Sequence, residues 1–115
     1  MIWKYKNNNM KTEESIKIEG YWYSEHYPKY PMPVSNVLSE KEANIIYNLI
    51  IKKEKIAQKV LYRGFSYSRI TEEILGCCEY QLDNYSWPGD FASHYVLTHK
   101  VKPTDDFLKF IGYKE

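Results

Sequence analysis

The chain has 115 residues, the length of one domain. Sixteen Lys and Arg face fifteen Asp and Glu for a net charge of +1, which argues against bulk nucleic-acid or anionic-membrane binding, since both need concentrated positive charge. Aromatic residues make up 17%, with 12 Tyr among them, a composition that excludes a disordered tail.

Residues 1–14 are polar, end in Glu13 and Glu14, and read as a mobile arm preceding an α+β domain over 15–115. Met10 offers a second start. No hydrophobic leader follows Lys4 and Lys6, and no stretch approaches the roughly 20 apolar residues that span a bilayer. The two cysteines, Cys77 and Cys78, are adjacent. Vicinal cysteines rarely bridge, because the joined ring strains disulfide geometry, so a reducing, cytoplasmic setting is expected.

Ile16 to Tyr23 alternates and is aromatic, as a strand is, with Gly20 marking a bulge. Three prolines between Pro28 and Pro33 forbid a helix and favour an extended loop. Ser39-Glu40-Lys41-Glu42 is a capping box. A long helix should start there and run to about Lys59, with Ile46, Leu49, Ile50, Ile56, Ala57 and Val60 on its apolar stripe. Phe65 to Ile70 and Ile74 to Leu82 read as strands around a Thr71-Glu72-Glu73 turn. Asp83-Asn84 is a tight hairpin turn into a short strand, Tyr85 to Trp87.

Asp90 can cap a helix from Phe91 to about Lys100, ended before Pro103; Tyr95, Leu97, His99 and Val101 also alternate as in a strand, but Phe91 and Tyr95 sharing one face favours the helix. Thr104 caps a last short helix. Asp105 and Asp106 suit its dipole, Phe107, Phe110 and Ile111 face the core, and Gly112 closes it. The expected architecture is an antiparallel sheet of about four strands packed on one long helix, with short C-terminal helices.

Trp87-Pro88-Gly89-Asp90-Phe91, His94-Tyr95-Val96, His99, Val101, Pro103 and Phe107 resemble the C-terminal half of small uncharacterised proteins of bacteria and viruses. The resemblance covers about a third of the chain. It implies a strand, a Trp-Pro-Gly turn and a helix at Phe91–Lys100, and it brings no activity. Some of those proteins carry a Cys-x-x-Cys pair, whereas the cysteines here are adjacent.

Cys77, Cys78, His94 and His99 are metal-ligand types, but adjacent cysteines on a strand point to opposite faces. His94 and His99, five apart, would sit about 140° from each other on an α-helix. Cys77 or Cys78 with His94 and Asp83 or Asp90 contains the residue types of a cysteine hydrolase, yet no nucleophile elbow or oxyanion signature accompanies them. No metal, cofactor or catalytic residue is assigned. Arg63 and Arg69 flank Ser66 and Ser68, and guanidinium groups suit phosphate or carboxylate. Glycine-rich phosphate loops are absent.

The tyrosine surplus gives the leading expectation. Tyrosine offers a large apolar area with a polar tip and is enriched in recognition surfaces. Tyr21, Tyr23, Tyr27, Tyr30 and Tyr67 are candidates for such a surface, with Tyr85 beside them. The expected function is a non-catalytic binding module docking on a larger protein, in the manner of a small inhibitor, immunity-like or defence-related protein of a bacterium or phage. The alternative is a small enzyme or sensor that binds a nucleotide-like anion through Arg63, Ser66, Ser68, Arg69 and His94.

Overall fold

A computed structural model describes residues 16–25, 27–61, 67–76 and 78–114. The expected N-terminal arm lies outside them. The described residues form a four-stranded mixed sheet with helices, an α+β fold. Strands β1 (Lys17–Ile18), β2 (Gln58–Leu61), β3 (Cys78–Leu82) and β4 (Tyr85–Pro88) are ordered β1-β4-β3-β2. The hairpin at Asp83-Asn84 makes β3 and β4 antiparallel, and β2 pairs antiparallel with β3. Asp83 adopts φ 55 in that turn, as its residue type permits.

Two sheet expectations are corrected. Strand β1 pairs parallel to β4, with Lys17 opposite Tyr85 and Ile18 opposite Ser86. It reaches the sheet by a long crossover that carries the first helix, which is the connection parallel pairing needs. It also stops after two residues instead of running to Tyr23. Gly20 turns to φ +80, and a Cβ there would lie 2.6 Å from a ring carbon of Phe91. The backbone therefore leaves the sheet to lie on the Phe91 ring, a position only glycine fits.

Helix α1 spans Glu40–Glu54 behind the expected capping box, with both bonds between Ser39 and Glu42 formed. Ala43, Ile46 and Ile50 are buried. The helix ends five residues before the expected Lys59, because Gln58–Leu61 serves as the edge partner of β3. Ile56 consequently lies outside the core, 70% exposed. Tertiary strand pairing has overridden helical periodicity here.

Of the expected strand Phe65 to Ile70, residues up to 66 lie outside the described part. Tyr67 makes an isolated bridge to Ile74, and Ser68 to Thr71 form a turn, with Glu72 at φ 67. The strand expected from Ile74 starts only at Cys78.

Phe91–Thr98 is helical as expected, but π rather than α. The His99 N–H donates to the His94 carbonyl, and the Thr98 hydroxyl to the Ser93 carbonyl, both five residues back. Asp90 is buried, yet its side chain makes no cap bond. Helix α2 (Asp105–Ile111) is capped by the Thr104 hydroxyl and closed at Gly112, φ 86. Tyr113 N–H donates to Leu108 O and Gly112 N–H to Lys109 O, a Schellman closure.

Strand β4 is buried along its whole length and carries the centre of the core. Trp87 packs edge-on to Phe107 at 5.5 Å, Phe91 meets the same ring at 5.7 Å, and Tyr85 stacks on Phe110 at 4.3 Å. Each such ring contributes about 1.5–3 kcal/mol by leaving water. Tyr85 is thus core rather than display surface. No helix of the described residues is long and apolar enough to cross a membrane.

Candidate recognition cleft

Three chain segments converge on one cleft of about 320 Å³. The stretch after β1 contributes Tyr21 and Trp22, the proline loop contributes Tyr27 and Tyr30, and the turn before β3 contributes Tyr67 and Arg69. Buried Asp90 and Tyr95, with Gly20, Ser24 and Pro88, complete the lining. The early departure of the chain from β1 at Gly20 is what brings Tyr21 and Trp22 here. Because that stretch is not a strand, Tyr21 and Trp22 line the same cleft instead of facing opposite ways.

The rings support one another. Tyr27 and Tyr30 stack at 5.6 Å, and Tyr30 is 6.3 Å from Tyr21. Tyr21 is tied to the sheet through its hydroxyl, which donates to Glu79 at 2.5 Å. Trp22 packs on Tyr95 at 5.3 Å and Phe91 at 6.4 Å. Tyr27 and Tyr67 keep 60% and 54% of their surface exposed. The Trp22 indole N–H is closed to solvent and has no hydrogen-bond partner among the described residues. A buried donor in that state costs about 1–3 kcal/mol.

Arg69 is held in place. Its Nε donates to the Tyr23 carbonyl at 2.9 Å and its Nη1 to the Tyr67 carbonyl at 2.8 Å. Its backbone N–H donates to the Tyr95 hydroxyl at 3.0 Å, which fastens the turn to the π-helix.

Beneath the turn, His94 Nε2 lies 2.7 Å from Ser68 Oγ, and His94 Nδ1 is 3.8 Å from Glu73 Oε1. The order Ser-His-Glu is that of a hydrolytic triad. The serine, however, is 2% exposed, and its oxygen already accepts the N–H groups of Ile70 and Thr71, each at 3.0 Å. Buried, and with both of those N–H groups on its oxygen, Ser68 locks the turn. Burial pulls the His94 pKa below its ordinary value and His99 adds to the effect, while Glu73 and Asp90 oppose it.

The two histidines correct an α-helical expectation. Their rings are 4.7 Å apart, edge to face, instead of on separate sides. The wider π turn returns to the same face after about five residues. Cys78 is half-buried on β3, and Cys77 lies outside the described residues. Among the described residues no three His, Cys, Asp or Glu side chains gather as a metal site.

Of the residues singled out in the sequence, Tyr21, Tyr27, Tyr30, Tyr67 and Arg69 share the cleft. Tyr23 lines an adjoining hollow with Ser68 and Arg69. His94 meets Ser68 below the surface, and Arg63 and Ser66 lie outside the described residues. Trp22 and Tyr95 carry no such signal in the sequence, and Asp90, read there as a helix cap, lines the cleft instead. Trp22 was hidden by the strand reading, and Tyr95 by the expectation of an ordinary core helix. No protein-family model matches the chain, and no curated protein or solved structure is significantly similar to it.

Proposed function

We propose that the protein is a non-catalytic, cytoplasmic binding module that docks on a larger protein through the tyrosine cleft. The observation that carries this reading is the convergence of Tyr21, Tyr27, Tyr30 and Tyr67 from separate segments on one apolar cleft beside a fixed guanidinium. Rigid aromatic rings with polar tips around a concave surface are the usual anchors of protein recognition. A small inhibitor, immunity-like or defence-related protein of a bacterium or phage has this size and needs no catalytic group. The anion-binding alternative draws less support, because Ser68 is buried in its turn and two of the three Arg69 nitrogens already bond carbonyls.

A photo-reactive phenylalanine analogue placed at Tyr67 tests the reading. It should cross-link a defined partner in cells, whereas the same analogue at Ile56, exposed and outside the cleft, should not. Equal labelling from both positions contradicts it.

A further inference from the structure

Resting on that reading, we propose that the cleft receives a proline-rich segment of the partner in the polyproline II conformation. Its shape comes first. A second apolar hollow, about 280 Å³ and lined by Pro31, Met32, Val34 and Val101, lies against the first. The two share one wall, formed by Tyr21, Trp22 and Tyr30. Tyr30 is therefore a ridge with an apolar hollow on either side. An extended chain laid across it places ring side chains in both hollows, and proline rings stack well on aromatic faces.

Hydrogen bonding narrows the occupant further. The lining offers an occupant the Arg69 guanidinium and the hydroxyls of Ser24, Tyr27, Tyr30 and Tyr67. Arg69 keeps its Nη2 after spending Nε and Nη1 on carbonyls. The Trp22 N–H has no partner among the described residues, and the Glu79 carboxylate beside the wall already accepts from Tyr21. An extended strand would bring unpaired N–H groups to a lining whose carboxylate, Asp90, is buried. A proline segment brings carbonyl acceptors and no N–H. The exposed charge of the first hollow is the Arg69 guanidinium, and Lys102 lines the second; their field favours the negative ends of those carbonyls and any acidic residue flanking the prolines. The Trp22 ring lines both hollows, so an occupant of either one contacts its face.

The probe is an acetylated, amidated decaproline peptide titrated into the isotope-labelled full chain, with a glycine-serine decapeptide as control. Saturable shifts of the Trp22 indole N–H and of cleft residues below about 1 mM are expected, with none from the control. Tyr30→Ala and Tyr67→Ala should weaken binding about tenfold at unchanged melting temperature. Trp22→Phe should weaken it about fivefold while leaving the melting temperature equal or higher, since it removes an unsatisfied donor. Glutamate-flanked decaproline should bind tighter than lysine-flanked, and Arg69→Gln should reduce that difference. No saturable shift up to a few mM, or shifts away from the cleft, overturns the inference. Selection of random decapeptides on the wild type and on Tyr67→Ala separates the two readings. Cleft-dependent peptides without proline overturn only the proline inference. If no peptide depends on the cleft and cross-linking at Tyr67 also fails, both fall. Shifts that depend on protein concentration without peptide point to a second copy and overturn the partner chemistry.

Discussion

Glu19 and Thr104, 85 positions apart, are joined by two bonds of 2.8 Å. The Thr104 N–H and hydroxyl both donate to the buried Glu19 carboxylate, while the same hydroxyl accepts the Phe107 N–H. In a capping box, the residue three places into the helix accepts the N-cap N–H. Phe107 occupies that place in α2 and cannot, so a carboxylate from the end of β1 does so instead. The bond pair ties the crossover strand to the last helix and holds the chain where Gly20 must turn.

Glu19→Ala should therefore lower stability by about 1–3 kcal/mol, because it orphans an amide and weakens the cap. Burial raises the Glu19 pKa above the ordinary 4.5, against the lowering by the two Thr104 bonds. The folded state then holds a proton that the unfolded chain releases. This contribution is complete below 4.5 and is lost as pH rises through the folded value. Chemical denaturation of wild type and Glu19→Gln across that range should show the extra downward slope in wild type alone.

His94 works with the opposite sign. Its folded pKa lies below the ordinary 6.5, so the unfolded chain binds the proton first. Stability from this group is complete above 6.5 and falls as pH drops through the folded value. A protonated ring would also confront a Ser68 oxygen whose lone pairs are taken. His99, Glu73 and Asp90 are the titrating neighbours. An NMR titration should find His94 the more acidic side of its ordinary value, and His94→Gln should flatten the acid slope of stability.

Gly20→Ala should cost roughly 2 kcal/mol or more, from positive φ and from overlap with Phe91. Paired with Phe91→Leu, part of the loss should return if the overlap dominates. A thermal melt of the two single variants and the double variant measures this.

Glu54→Ala should destabilise by about 1–3 kcal/mol, because the fully buried Trp87 donates its indole N–H to Glu54 at 3.0 Å. Glu54→Gln keeps an acceptor and should lose less. Denaturation midpoints with unchanged m-values would establish the difference.

Local signals carried much of the fold. The box at Ser39 and Glu42, the hairpin at Asp83-Asn84, the Thr104 cap and the Gly112 stop are short-range chemistry, and each forms as read. What failed was decided at long range. The end of α1 depends on β3 needing Gln58–Leu61 as a neighbour, and the end of β1 on Phe91 lying under Gly20. The π turn at Phe91–Thr98 has no signature in spacing, so the meeting of His94 and His99 was invisible. The tyrosine cleft was legible only in part. Composition nominated Tyr21, Tyr27, Tyr30 and Tyr67, but their joining with Trp22 follows from the chain leaving the sheet at Gly20.

We propose that these tyrosines recognise a partner rather than hold the fold. It is tested most directly by the affinity of the cross-linked partner, once isolated, for wild type and for Tyr27→Ala/Tyr67→Ala. Both rings are mostly exposed, so at least a roughly tenfold loss of affinity is expected, with a melting temperature within about 2 °C of wild type. Unchanged affinity, or a collapse of the fold, would contradict it.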